Sequence, residues 1–225
     1  MRNGTKKVPV PSKRPRGRPR SFDEAEALAA LTRTFWVHGF AAASLDELAA
    51  SAGINRPSLY ATFGDKRAMY LRAVAEVTSR LEAAMERSLS PERPLADALA
   101  AFYAESIEQY SSGEPGPRGC FVVCTAPSAA VDEPEIKRAL AGVLRTIDRG
   151  FEKPIAAARD RGELPPHADP RMLAMLAASA LHSLAIRARA GESRARLVEL
   201  SRAAVELILG VRPRDSDSAA RRGRA

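Results

Sequence analysis

The sequence predicts an all-α protein: an N-terminal three-helix helix-turn-helix domain followed by a larger helical domain. Three observations carry this. Apolar residues make up 45% of the 225, with alanine and leucine dominant and β-branched and aromatic residues sparse, a balance that favours helices over strands. Apolar residues recur at helical spacing in segment after segment. Between those segments stand capping residues, glycines and prolines in the order that starts and stops helices.

Residues 1–20 are basic, Pro-rich and without period, and are expected to be a disordered arm. Asp23 is placed to cap the first helix, with Glu26 three residues on as its reciprocal partner. Leu28, Leu31 and Phe35 then share one face with Ala27 and Ala30, until Gly39 stops the helix and Phe40 folds back as an apolar plug. Ser44 and Glu47 form a second capping box, opening a short helix over Leu45–Ser51. "AGIN" (52–55) breaks it. A third helix starts at Asn55 and runs to about residue 62. It accommodates Pro57 in its first turn, where a missing N–H would have no helical partner anyway. "FGDK" (63–66) is the next break, and a fourth helix covers about 66–89.

Beyond Pro91 and Pro94, the stripe Leu95, Leu99, Phe102, Tyr103, Ser106 and Ile107 predicts another helix. "SSGEPGPRG" (111–119) is a loop by composition, and 120–128 is a short apolar segment. Asp132 is expected to cap a long helix to about residue 161, bent at Pro154. "GELPPHADP" (162–170) stops it and starts the next, with Asp169 as cap and Pro170 as first helical residue. That helix runs to about residue 190 and is apolar on most sides. Gly191 and Ser193 separate it from a last helix over about 194–209.

Charge is placed unevenly. Residues 1–20 carry eight Lys/Arg and no acid, and residues 211–225, read as a disordered tail, carry five Arg against two Asp. Of the chain's 35 basic and 27 acidic residues, this leaves 22 and 25 for positions 21–210, a mildly acidic body under a net charge of +8. Basic ends on such a body point to a polyanion, with nucleic acid first. No run of 18 uninterrupted apolar residues is present, so no membrane partner is expected. With two cysteines only, the expected location is the reducing cytoplasm, on the nucleoid.

"SLDELAASAGINRPSLYATFGDK" is the most informative stretch. Leu45, Leu48 and Ala49 face inward, and Ala49 is small where two short helices cross. Gly53 supplies the positive φ of a sharp turn. Ile54 and Leu59 close a small core, and the whole matches a helix-turn-helix. The segment "GFAAASLDELAASAGINRPSLYATFGDKRAMYL" (39–71) resembles the DNA-binding domain of TetR-family transcriptional regulators. The carriers are the Gly-Phe after the first helix, Ser-Leu-x-x-Leu-Ala at the start of the second, and Leu-Tyr-x-x-Phe-x-x-Lys at the end of the third. Thr62 stands where many members carry His.

The resemblance implies a DNA-binding domain over 21–71 and a ligand-binding and dimerisation domain over 72–210, acting on a double-stranded operator as a homodimer with an unidentified small-molecule effector. The third helix would lie in the major groove, with Arg56 and Ser58 near base edges. Asn55 has two open readings, N-cap or base contact. Tyr60 also has two: the family's phosphate-binding tyrosine, or a core tyrosine covering Phe63. Lys66 is placed to pair with a phosphate at the start of the fourth helix, and Ser44 both to cap and to contact phosphate. Arg33 reads as a solvated residue.

"PRGRPR" (15–20) resembles an AT-hook core. Arg16 and Arg18 would enter a narrow A·T minor groove, with glycine permitting close approach and prolines keeping the arm extended. The alternative is a solvated charge run making non-specific phosphate contacts.

In the larger part, Leu173, Met175, Leu176, Leu181 and Leu184, with intervening alanines, leave too much apolar surface for a helix with one wet face. Together with Leu197, Leu200, Leu207 and Ile208 of the last helix it reads as a four-helix dimer interface, or as an intrachain core. Effector-pocket candidates are Phe102, Tyr103, Cys120, Phe121, Phe151, Met175 and His182. Cys120 and Cys124 stand at i, i+4 without nearby His or Cys, so no metal and no cofactor is expected. Arg118 and a helix N-terminus would lower a thiol pKa and suit redox or electrophile sensing; the other reading is two small buried hydrophobes. With only His38, His167 and His182, no nucleophile–base–acid set is visible, and no enzyme is expected. Two further functions compete with the regulator: an architectural DNA binder using its basic ends, and a thiol-sensing regulator.

Overall fold

Nine α-helices form the secondary structure of the described residues, 22–113 and 116–210, in the computed structural model. They are α1 (Glu24–Ala42), α2 (Leu45–Ser51), α3 (Arg56–Phe63), α4 (Lys66–Ser88), α5 (Leu95–Ser111), α6 (Phe121–Ala129), α7 (Pro134–Asp160), α8 (Pro170–Arg189) and α9 (Arg194–Ile208). The arm with Arg16 and Arg18, and the tail after 210, lie outside the described residues.

Local chemistry starts most of these helices. Asp23 accepts from the backbone N–H of Ala25 and Glu26, Asn55 from Ser58, Asp65 from Ala68, Asp169 from Arg171 and Met172, and Ser193 from Arg196. Each bond satisfies a donor that the first helical turn leaves without a partner. Asp132 is not the cap of α7. Glu133 holds that position without a side-chain bond, because Pro134, with no N–H and a preset φ, takes the first helical place. The helix then continues through the buried Pro154.

Leu31, Phe35, Leu48, Leu59 and Phe63 are at most 2% exposed and fill the space between α1, α2, α3 and α4. Burial of each such side chain contributes about 1.5–3 kcal/mol. The expected boundary at 71/72 falls inside the unbroken α4, whose first half buries Met69, Tyr70, Ala73 and Val74. α4 therefore belongs to both parts, and one apolar core runs from the head into the body. In the body α7 and α8 pack along their length, with α5 and α9 against α8.

Met172, Met175, Leu176 and Ile186 remain exposed. Their spacing places all four on one side of α8, an apolar face broken by Ser179 and Ser183 that the other described residues leave open. His182 sits half-buried on the same helix, its Nε2 enclosed without a hydrogen-bond partner among the described residues. Burial pushes its pKa below the ordinary value, and Asp148 opposes the shift. The unfolded imidazole titrates near 6.5, so below about that pH the unfolded state takes up more protons than the folded state. Stability is accordingly full above about pH 6.5 and falls as the pH drops through the folded value. Thermal melts between pH 7 and pH 5 check this: the wild type should lose stability over that range, and His182→Leu should lose less.

Candidate nucleic-acid interface

The Ser44 hydroxyl accepts from the Glu47 N–H at 3.2 Å, and the Glu47 carboxylate accepts from the Ser44 N–H at 2.8 Å. That exchange fixes where α2 begins and pulls the Glu47 pKa down. At the other end Gly53 takes φ 65°, and the Ile54 N–H reaches back to the Ala49 carbonyl at 3.1 Å. This is the tight αL exit that only glycine takes without steric cost. Two residues later Asn55 caps α3, its side-chain oxygen 2.9 Å from the Ser58 N–H. Of the two readings of Asn55, the cap is the contact the structure makes.

Leu59 and Phe63, one turn apart, are buried and pin α3 to the head. The opposite side of α3 presents Arg56, Pro57, Tyr60 and Ala61 to solvent, with Ser58 at its half-buried edge. Tyr60 is 44% exposed, so it does not cover Phe63 as a core tyrosine would. Arg56 forms an ion pair with Asp46 in the first turn of α2. Both groups are more than half exposed, so the pair contributes little to stability and exchanges readily for another anion.

Gly39 interrupts α1 with φ 75° and ψ 177°, a region that side-chain-bearing residues essentially avoid. The carbonyls around this break are taken by long-range donors. Lys66 donates to the Ala41 carbonyl at 3.0 Å, its ammonium 5.1 Å from the centre of the Phe40 ring. Burial pushes the Lys66 pKa down, with Glu47 working against the shift. In the free protein the ammonium thus fastens α4 to the kinked end of α1.

A second tie joins head and body. Arg189, last residue of α8, donates to the carbonyls of Trp36 at 3.0 Å, Arg118 at 3.2 Å and Val37 at 3.5 Å. The Trp36 indole N–H donates to the same Arg118 carbonyl at 3.2 Å, and the Arg118 guanidinium stands 5.6 Å from the Trp36 ring centre. Sequence reading missed Trp36 and Arg189, and gave Arg118 a role at the thiols rather than at Trp36. A basic residue ending a helix reads as a complement to the helix dipole, and nothing local reveals carbonyls far along the chain.

The seven effector-pocket candidates do not meet in one place. Phe102, Tyr103 and Phe151 pack on each other with ring centres 5.5–6.4 Å apart, and the Tyr103 hydroxyl donates to the Ala177 carbonyl at 2.9 Å. Their rings fill core space rather than line an opening. Met175 lies on the exposed stripe of α8, and His182 faces Asp148 of α7. Cys120 and Phe121 do line a cavity of about 310 Å³, but its other walls come from α1, α4 and α5.

Cys120 is the N-cap of α6 and Cys124 lies in its first turns; both thiols are free. The expected lowering of their pKa does not occur. Backbone N–H groups of Val122 and Val123 do favour the Cys120 thiolate, but burial outweighs them and pushes the pKa up. At Cys124 burial again raises the pKa, and the cation opposing it is Arg189, since the Arg118 guanidinium is placed over Trp36.

A helix-turn-helix with one face of its second helix open to solvent, carried by a larger helical body, defines a DNA-binding transcriptional regulator rather than an enzyme. Comparison with known proteins gives the family. Residues 27–73 match the family model for bacterial regulatory proteins of the tetR family, and residues 96–204 match that of the tetracyclin repressor-like C-terminal domain. The chain is 29% identical to the transcriptional repressor ComR of Escherichia coli K12, across 84% of this chain and 90% of that protein. It is 35% identical to the repressor BdcR of the same organism, across 48% of this chain and 54% of BdcR. A cysteine mutant of the regulator CifR, solved with a 26-base-pair double-strand operator DNA, superposes with a TM-score of 0.75 at 28% identity, covering 84% of this chain and 98% of that one. The chain belongs to the TetR family of bacterial transcriptional regulators.

Proposed function

We propose that the protein is a repressor that binds a pseudo-palindromic operator as a homodimer and leaves it when a small molecule occupies the helical body. The observation that carries this reading is the outward face of α3, where Arg56 and Tyr60 stand in solvent while Leu59 and Phe63 hold the helix in place. Arg56 reads a base edge after exchanging Asp46 for it, and Tyr60 contacts a phosphate. Ser44, Asn55 and Ser58 hold the backbone that sets their approach. The exposed stripe on α8 supplies the dimer contact, placing two copies of α3 on successive major-groove faces. Arg16 and Arg18 add a minor-groove contact on the flank. The site of action is cytoplasmic DNA.

Footprinting on the DNA upstream of the protein's own gene tests this reading, and a protected palindrome at moderate salt is the expected result. On that DNA Arg56→Ala should cost about 1–3 kcal/mol, roughly 5- to 150-fold in affinity, and relax preference at one base position per half-site. An Arg56→Ala protein that binds with unchanged affinity and preference would refute the assignment to base reading.

A further inference from the structure

The cavity between α1, α4, α5 and α6 stands apart from the aromatic cluster of the body and directly adjoins the DNA-binding head. Its deep surface is apolar and aromatic, with Trp36, Leu81, Tyr110 and Phe121 among its walls. At about 310 Å³ it is near the lower end of the roughly 300–1,000 Å³ range of small-molecule sites. Its exposed edge is charged. Arg80 is paired with Glu76 at 2.8 Å, and Arg87 with Glu105 at 3.2 Å. Arg33 completes the edge and has no acidic partner among the described residues. On its other side Arg33 borders a shallow groove shared with Asp23 and Glu26, without an ion pair to either. The mouth thus carries three cations and two anions, with the unpaired charge on Arg33. A second hollow, between α4 and α7, is edged by Glu82, Glu86, Arg149 and Lys153 and contains no aromatic ring, so it lacks this combination.

We propose that this junction cavity binds a small monoanionic carboxylate with an aromatic or short acyl body, the body against Trp36 and Phe121 and the carboxylate on Arg33. An apolar wall with one uncompensated guanidinium at its mouth recognises that chemistry. A neutral molecule would leave Arg33 unused, and a cation would meet an unpaired like charge. The regulatory consequence rests on the ligand-responsive reading given above. Trp36 is both a cavity wall and the residue held by Arg118 and Arg189, so an occupant that shifts its ring acts on the tie between head and body. A ligand with different affinities for the two head orientations then changes operator binding.

Trp36 is the chain's single tryptophan, so the indole emission comes from a residue in the wall of this cavity. The full-length protein is titrated with phenylacetate and octanoate, and with phenylacetamide and octanamide as uncharged counterparts. The expected result is a saturable emission change with at least one acid, and affinity about tenfold or more weaker for its amide. Arg33→Gln, at an exposed position without an ion pair, should fold as the wild type and weaken the acid by a similar factor while leaving the amide unchanged. Equal binding of acid and amide, no effect of Arg33→Gln, or no emission change with either acid overturns the proposal. The last result together with a protected palindrome would leave the regulator standing without this site. Saturable acid binding with unchanged operator affinity would retain the site and remove its regulatory role.

Discussion

Replacement of Tyr70 by alanine is expected to destabilise the protein by about 3–5 kcal/mol, the range for deleting a large aromatic side chain from a packed core. Tyr70 is fully buried at the point where head and body share α4. Its ring meets Phe35 and Phe40 edge-on at 5.2 and 5.3 Å, and lies 5.4 Å from Phe121 on the body side. Its hydroxyl is 2.6 Å from that of Thr125, which itself donates to the Phe121 carbonyl at 2.7 Å. The Thr125 proton is thereby committed, so Tyr70 is the donor of the pair. Burial pushes its pKa up to about 12, with the Thr125 bond opposing, which keeps the phenol protonated through the physiological range. Tyr70→Phe preserves the rings and leaves Thr125 its carbonyl partner, so it should cost only about 0.5–1.5 kcal/mol. Urea denaturation followed by helical circular dichroism separates the two. Equal stability of both variants would show that the rings do not join head to body.

Gly39→Ala should cost about 2–3 kcal/mol, the upper part of the range for holding a side chain in a region that glycine alone populates comfortably. The penalty is in the backbone alone: an added Cβ at this position meets no atom within 4 Å. Relief comes if α1 straightens, but a straight helix moves the carbonyls of Trp36 and Val37 away from Arg189 and that of Ala41 away from Lys66. The variant should therefore lose operator affinity and shift Trp36 emission in addition to melting earlier. A mutant that melts earlier while keeping its emission and operator affinity would confine Gly39 to a local role. The Gly-Phe pair after the first helix thus has a physical account: the glycine turns the chain and the phenylalanine packs under the Lys66 ammonium.

The helix-turn-helix was legible in the sequence because its determinants are local. Ser44 and Glu47, or Asn55 and Ser58, are three residues apart, and a capping bond between such neighbours forms whatever the rest of the chain does. Periodicity likewise marked Leu48 and Leu59 as buried and left Arg56 outside. The one cap placed wrongly, Asp132, shows the same rule at its limit: Pro134 decides the first helical residue, and that moves the cap to Glu133.

The effector candidates were less legible, since periodicity identifies a buried face without identifying what packs on it. Phe102 and Phe121 read alike, yet one closes on Phe151 and the other lines the junction cavity. Lys66 read as a phosphate partner, and nothing local showed that the Ala41 carbonyl of α1 would lie 3.0 Å from its ammonium. Arg189 finds its acceptor 153 residues away. The sequence by itself determined the helices, their caps apart from that of α7, and the outward face of the reading helix, all of which follow from contacts within about one turn. Only the tertiary structure decided which carbonyls Lys66 and Arg189 satisfy and which aromatic residues border open space, because those outcomes depend on how helices distant in sequence pack against one another.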